Sequence, residues 1–194
     1  MTVVPLRHEH LGPLKEFTDK NIGAGYYTSH ELNDIFQRSQ KDGVMCSFVL
    51  CGDQGEILGV RISFPPGHWL SGKGRGLAYK KWPQLRADTA YFQSLFISPE
   101  LQGSDWGGQL SRASLKPLRQ SGAKGVACHA WKESPGNSSL KYLTKLGFQV
   151  IAEHLNYWAA VNYNCTLCLK PPCQCTAVEM YLDLEKNHEH LGLA

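Results

Sequence analysis

The stretch Leu95-Phe96-Ile97-Ser98-Pro99-Glu100-Leu101-Gln102-Gly103-Ser104-Asp105-Trp106-Gly107-Gly108-Gln109-Leu110 decides how the rest of this 194-residue sequence is read. It begins as an apolar strand, breaks at Pro99, and passes through a turn holding Gly103, Gly107 and Gly108. It then enters helical spacing at Leu110, Ser114, Leu115 and Leu118. A strand that turns sharply into a helix aims several free backbone N–H groups at one point, where the positive end of the helix dipole also lies. Glycines there let an anion approach the backbone closely. The turn reads as a pyrophosphate cradle, the alternative being an ordinary tight strand-to-helix turn. No Gly-Lys-Ser/Thr follows it and G-x-G-x-x-G is absent, so it is neither a Walker loop nor the dinucleotide fingerprint.

Gln102-Gly103-Ser104-Asp105-Trp106-Gly107 resembles the acetyl-CoA motif of the GNAT acetyltransferases, Q/R-x-x-G-x-G/A. Gln102 and Gly107 match its ends. Asp105 stands where the middle glycine is usual, and a carboxylate beside a pyrophosphate repels it unless it points away or caps the helix. Asp is a good N-cap, and capping is the role expected of it. A second match lies downstream: Asn137, Tyr142 and Lys145-Leu146-Gly147-Phe148 resemble the N-x-x-x-x-x-Y-x-x-x-G-F helix of the same family.

The resemblance implies an α/β (α+β) fold with a mixed, mainly antiparallel central sheet and helices on both faces. It implies acetyl-CoA as cosubstrate, in a gap where the strand before the cradle and the next strand splay apart. The cofactor-binding set it implies is the backbone of Leu95, Phe96 and Ile97 along the pantetheine, with Gln102, Gly103, Ser104, Asp105, Trp106, Gly107, Gly108 and Asn137. Asn137 could alternatively cap its helix. Free ladder groups in a splayed sheet suit such strand-like pairing.

Direct acyl transfer to an amine needs a base for the ammonium, a donor for the thioester oxygen and a proton for the departing thiolate. His129, on the strand after the cradle helix, is the candidate base, directly or through water. Its alternative is packing in the sheet. Glu133 is the other candidate, its alternative a solvated loop carboxylate. Tyr142 is the candidate acid by resemblance. The family's tyrosine commonly sits four residues before the glycine, but Leu143 is there and Tyr142 is five before Gly147, about 100° round the helix.

The chain is 42% hydrophobic and 19% charged with net charge +3, as expected of one soluble domain spanning residues 1–194. That charge gives no argument for nucleic acid, and no apolar run is long enough for a membrane span. Met1-Thr2-Val3-Val4-Pro5 lacks the charged lead and apolar core of a signal peptide, so a reducing, cytoplasmic setting is expected.

Four of the seven cysteines fall in Cys165-Thr166-Leu167-Cys168-Leu169-Lys170-Pro171-Pro172-Cys173-Gln174-Cys175. C-x2-C and C-x-C around a Pro-Pro turn suggest a metal knuckle at 165–175. Four thiolates favour structural zinc, with an iron–sulfur cluster or redox thiols as alternatives. Cys46, Cys51 and Cys128 read as small core residues, and the histidine pairs His8/His10 and His188/His190 as solvated ends.

Elsewhere, Thr2–Leu6 reads as a first strand and Leu11, Leu14, Phe17 and Ile22 as an amphipathic helix. Thr28-Ser29-His30-Glu31 is a capping box for a helix that Gly43 ends. Val44–Cys51 and Ile57–Phe64 form a hairpin, and Ala90–Ser98 leads into the cradle. Ser111–Gln120 is a helix with a kink or early end at Pro117, closed by Gly122. Val126–Trp131 is a strand, Asn137–Leu146 a helix, and Phe148–Trp158 and Ala177–Leu184 two further strands; the tail from Glu185 reads as frayed. The segment 65–86, with Lys73, Arg75, Lys80, Lys81, Trp69 and Trp82, is either a solvated basic loop or a substrate-facing flap whose tryptophans flank an acceptor or cover the cofactor.

The function expected is acetyl transfer from acetyl-CoA to a primary amine, on a small molecule or peptide, by a protein that could form a homodimer. A non-catalytic acyl-CoA-binding module and a metal-dependent interaction protein are the competing classes.

Overall fold

The computed structural model describes residues 1–69, 76–160, 165, 167–170 and 172–187. In chain order the elements are β1 (Thr2–Pro5), α1 (Leu11–Asn21), α2 (Ser29–Arg38), β2 (Gln40–Lys41), β3 (Val44–Met45), β4 (Phe48–Cys51), β5 (Ile57–Phe64), β6 (Thr89–Ile97), α3 (Trp106–Gln120), β7 (Gly125–Trp131), α4 (Ser138–Lys145), β8 (Gln149–His154), β9 (Ala177–Asp183) and α5 (Leu184–Asn187). Seven strands form one sheet in the order β1-β4-β5-β6-β7-β9-β8. Only β6 and β7 run parallel; every other neighbouring pair is antiparallel.

Strand alternation sorts the core into two layers. Val60, Ile62, Phe64, Tyr91, Ala127 and Tyr181 pack with Leu14 and Phe17 of α1 and Leu32 and Ile35 of α2. On the other face Phe92, Val126, Cys128 and Met180 pack with Leu115 and Leu118 of α3, Leu143 of α4 and Leu146 just beyond its end. Leu110, Leu115 and Leu118 are almost wholly buried. Each such side chain contributes roughly 2 kcal/mol, so this stripe fixes α3 on the sheet. The mixed sheet with helices on both faces is as expected.

The capping box forms: Thr28 Oγ1 accepts from Glu31 N at 3.1 Å, and Thr28 N donates to Glu31 Oε2 at 2.8 Å. That helix ends at Arg38, however, not at Gly43. Asp42 and Gly43 have φ of 51° and 78° and make the tight turn between β2 and β3, where successive positive φ values suit Asp-Gly. Val44–Cys51 is therefore two strands. Between them the Ser47 hydroxyl accepts from Ser63 N at 2.9 Å and donates to Ser39 Oγ at 2.7 Å.

Pro117 does not end α3, which runs one further turn to Gln120 before Gly122, at φ 91°. The strand expected over Phe148–Trp158 stops at His154; Asn156 then takes φ 54° and Tyr157 N donates to Cys175 O at 3.2 Å, turning the chain toward the cysteine loop. Of the tail, Leu184–Asn187 is a short helix, and His188 and His190 lie outside the described residues.

Lys73 and Arg75 also lie outside the described residues. Trp69 and Trp82 are 9% and 7% exposed and belong to the core, not to a free flap. The Trp69 indole donates to Thr89 O at 2.7 Å and its ring stacks on Tyr91. Among the described residues, no helix is long and apolar enough to cross a membrane.

Candidate active site

The parallel pairing of β6 and β7 is short. It runs from Thr89 opposite Gly125 to Phe92 opposite Cys128 and stops. On its other side β6 stays with β5 as far as Gly59 opposite Ile97. The last five residues of β6 thus keep one ladder edge without a strand partner among the described residues. A bulge at Gln93 marks the parting: Ser63 opposes Phe92 and Ile62 opposes Ser94. The extra residue shifts the alternation, so Leu95 and Ile97 join Phe92 on the α3 side while Phe96 joins Tyr91 on the other.

The cradle closes one end of this gap. After a 3₁₀ turn over Pro99–Leu101, Gly103 has φ 86° and Asp105 φ 59°. Gln102 Nε2 donates to Ile97 O at 3.3 Å and ties the turn to its strand. A Cβ on Gly107 would lie 2.9 Å from Leu95 Cδ2, so the glycine lets α3 start directly against β6. The first bond into α3 runs from Gln109 N to Asp105 O at 3.0 Å, which leaves the N–H groups of Trp106, Gly107 and Gly108 ahead of the ladder.

Asp105 occupies the N-cap position but does not cap. Its left-handed backbone turns the side chain from the geometry in which a cap accepts from the first-turn N–H groups, and its carboxylate pairs with Arg112 two turns into the helix. Asn137 is similar: it has φ 56° and no side-chain cap bond. The hydroxyl that accepts from the first turn of α4 is that of Ser134, from Ser139 N at 3.1 Å.

On the α3 side of the parting, Tyr142 points inward although it is displaced along its helix. Its hydroxyl accepts from Arg61 Nη2 at 2.5 Å. Arg61 is 2% exposed; its guanidinium lies 4.3 Å over the Phe92 ring and donates to Ser111 Oγ at 3.0 Å. Ser111 in turn donates to Gly107 O at 2.8 Å. Burial raises the Tyr142 phenol above its ordinary value, and Arg61 pulls it part of the way back.

On the opposite side, His129 is the first residue of β7 beyond the last pair with β6. Its Nδ1 lies 2.8 Å from the Tyr91 hydroxyl and 3.3 Å from that of Tyr157, whose ring stacks on it at 4.3 Å. Burial, with the charge of nearby His154 second, pushes His129 down to about 3. Its register partner Glu179 is fully buried. Glu179 accepts from Trp82 Nε1 at 2.6 Å and Ala78 N at 2.8 Å, and lies 2.7 Å from His154 Nε2. Glu133 stands apart from this cluster: both its oxygens accept from Thr176 N at 3.1 Å, holding the start of β9.

Cys165, Cys168, Cys173 and Cys175 come together, with all four Sγ atoms within 4.8 Å of one another. Three of the separations are 3.6, 3.6 and 3.9 Å. Backbone N–H groups of Cys168 and Gln174 donate to Cys165 and Cys168 sulfurs at 3.5 and 3.3 Å. Burial raises the Cys165 thiol, but N–H donors from Cys168 and Leu167 outweigh it and bring it down to about 6. Trp131 and Trp158 pack against the cluster. Cys46 and Cys128 are buried core thiols, pushed by burial up to about 11 and about 12.

Sequence reasoning missed Arg61, His154, Glu179, Tyr91 and Tyr157. A visible signal existed for Arg61, a lone charge between Val60 and Ile62 in an otherwise apolar strand. The others are brought in by strand register, which periodicity does not supply.

No protein-family model matches the sequence, and no curated protein matches it in sequence. Solved structures do match in fold. Naa20 from Chaetomium thermophilum, solved with a bisubstrate analogue, is 14% identical with a TM-score of 0.69, covering 97% of this chain and 90% of its own. The NatC complex bound to Gag peptide and CoA matches at 12% identity and TM-score 0.67, over 95% and 99%. An N-acetyltransferase from Staphylococcus aureus Mu50 matches at 17% and 0.66, over 94% and 98%. The chain thus has the fold of the GNAT N-acetyltransferases over nearly its whole length.

Proposed function

We propose that the protein is an N-acetyltransferase that moves an acetyl group from acetyl-CoA to a primary amine by direct attack. The observation that carries this reading is the parting of β6 from β7 after Phe92, which leaves an open ladder edge running straight to unladdered N–H groups at the start of α3. The diphosphate sits on the backbone from Gln102 to Gly108, and Arg112 holds the Asp105 carboxylate against repelling it. The pantetheine pairs with Leu95, Phe96 and Ile97, with Asn137 at the entrance to α4.

Tyr142 gives its proton to the departing thiolate. His129, which burial keeps neutral, is too weak a base to hold a proton itself, so it orients the attacking amine, whose proton leaves through water with the His154–Glu179 pair beside it. Glu133 braces β9 and has no part in proton transfer. The acceptor is an amine on a peptide or small molecule: one structure sharing the fold is bound to a Gag peptide and CoA, and another is a spermidine N-acetyltransferase chimera. The setting is cytoplasmic, and a homodimer is compatible with the exposed β8 edge.

The four cysteines hold a structural zinc. Zinc–sulfur bonds of about 2.3 Å make tetrahedron edges of about 3.8 Å; three of the six sulfur separations, 3.6, 3.6 and 3.9 Å, match such edges, and all lie within 4.8 Å. The ion takes no step in the reaction. Cys173→Ala is expected to lower zinc content from about one equivalent to near zero by elemental analysis and to loosen the loop; unchanged zinc overturns the site.

Thermal shift with acetyl-CoA, followed by thiol release with an amine library, tests the main reading. Stabilisation by acetyl-CoA and release with some amine are expected. No stabilisation at millimolar acetyl-CoA sinks it.

A further inference from the structure

Arg61 is a buried cation at the gap. Arg61 lies in the middle of β5, is 2% exposed, and has no carboxylate within ion-pair distance among the described residues. Its recorded partners are neutral: two hydroxyls and the Phe92 ring. Buried charges in proteins are ordinarily paired, because the loss of hydration is large. A guanidinium held only by neutral groups is built for negative charge that is present part of the time. Phe92 is the last residue of β6 paired with β7, so that cation sits at the floor of the gap.

We propose that Arg61 is a positioning residue for the transfer, resting on the acetyltransferase reading: it fixes the Tyr142 hydroxyl at the parting of β6 and β7 and stabilises the phenolate left when Tyr142 protonates the thiolate. The amine nitrogen forms a bond to the thioester carbonyl carbon and the carbon–sulfur bond breaks. The sulfur takes the phenolic proton and leaves as coenzyme A. The proton lost by the amine returns to Tyr142 through solvent. The phenolate exists between these steps, one hydrogen bond from Arg61. The Ser111 bridge to Gly107 O ties that cation to the cradle helix, so cofactor seat and proton donor share one rigid support.

The test needs no knowledge of the acceptor. Binding of coenzyme A and of its desulfo analogue to the whole protein is measured by calorimetry from pH 6.5 to 9, with acetyl-CoA as control. The wild type is expected to prefer coenzyme A increasingly as the thiol ionises, by roughly tenfold or more, because a hydrogen bond to a charged group is being gained. Arg61→Met and Tyr142→Phe each lose that pH-dependent preference while acetyl-CoA affinity stays within about twofold, and the double variant loses no more than either single one. Arg61→Lys restores only part, since an ammonium cannot hold Ser111 and Tyr142 together as a planar fork does. A full preference in Arg61→Met overturns the proposal. Should that variant fail to fold, full preferences in Arg61→Lys and Tyr142→Phe overturn it. Failure of the wild type to bind acetyl-CoA sinks the acetyltransferase reading itself, and so is told apart from failure of Arg61 alone.

Discussion

Each face of the sheet carries one buried ionisable group close to the line where β6 and β7 part, and the two are held in opposite ways. Glu179 is a carboxyl group that accepts from Trp82 Nε1 and Ala78 N and lies 2.7 Å from His154 Nε2. Arg61 is a cation touched by two hydroxyls and a ring. The first is a fastener: its partners come from the 76–82 segment and from β8, and it ties both to β9. The second leaves its charge uncompensated beside the gap. Burial alone therefore does not tell a structural ion from a working one; the chemistry of its partners does.

The comparison breaks most visibly under truncation. Glu179→Ala is expected to cost about 3 kcal/mol or more, since two buried N–H donors lose their acceptor, His154 loses its neighbour and a cavity opens. Arg61→Met, by contrast, is expected to fall within about 1 kcal/mol of the wild type, because an apolar side chain of similar length removes an unpaired buried charge. Chemical denaturation of the two variants measures both. Equal losses would erase the distinction between fastener and working charge.

The pH dependence of stability sharpens the same contrast on the Glu179 side. His129 is pushed down to about 3 in the fold against 6.5 when unfolded. Its folded pKa is depressed, so the stability it contributes is full above pH 6.5. Below that the unfolded chain binds the extra proton, and stability falls by up to about 1.4 kcal/mol per pH unit toward pH 3. His129→Gln is expected to flatten that slope in acid denaturation, with little change above pH 7. An unaltered slope would place the titration elsewhere.

The smallest effect concerns the cradle. Asp105→Gly suits the left-handed backbone and removes a carboxylate from beside the diphosphate seat. Its pair with Arg112 is half exposed and worth little, at most about 1 kcal/mol. Acetyl-CoA is expected to bind about two- to fivefold more tightly, by calorimetry. Weaker binding would show that Asp105 supports the seat.

Much of this was legible from one dimension. The apolar run at 95–97, the glycines of the turn and the helical stripe at Leu110, Leu115 and Leu118 are local signals, and each became the element it announced. The cysteine spacing announced its own cluster, because four thiols within eleven residues are kept near one another by the chain itself. Local rules failed where two choices were both locally sound. Asp105 and Asn137 are residues that cap helices, yet both took the left-handed backbone that denies them the cap. Gly43 could end a helix or make a hairpin turn, and pairing of β2 with β3 chose the turn.

By itself the sequence determined that a strand must stop at a proline and re-enter as a helix across glycines, since backbone sterics and periodicity act within a few residues of one another. Only the tertiary structure decided that Arg61 meets Tyr142 across 81 positions and that Glu179 meets Trp82 across 97. Those encounters are set by strand order and register, and a register shift of one residue would send each side chain to the opposite face of the sheet.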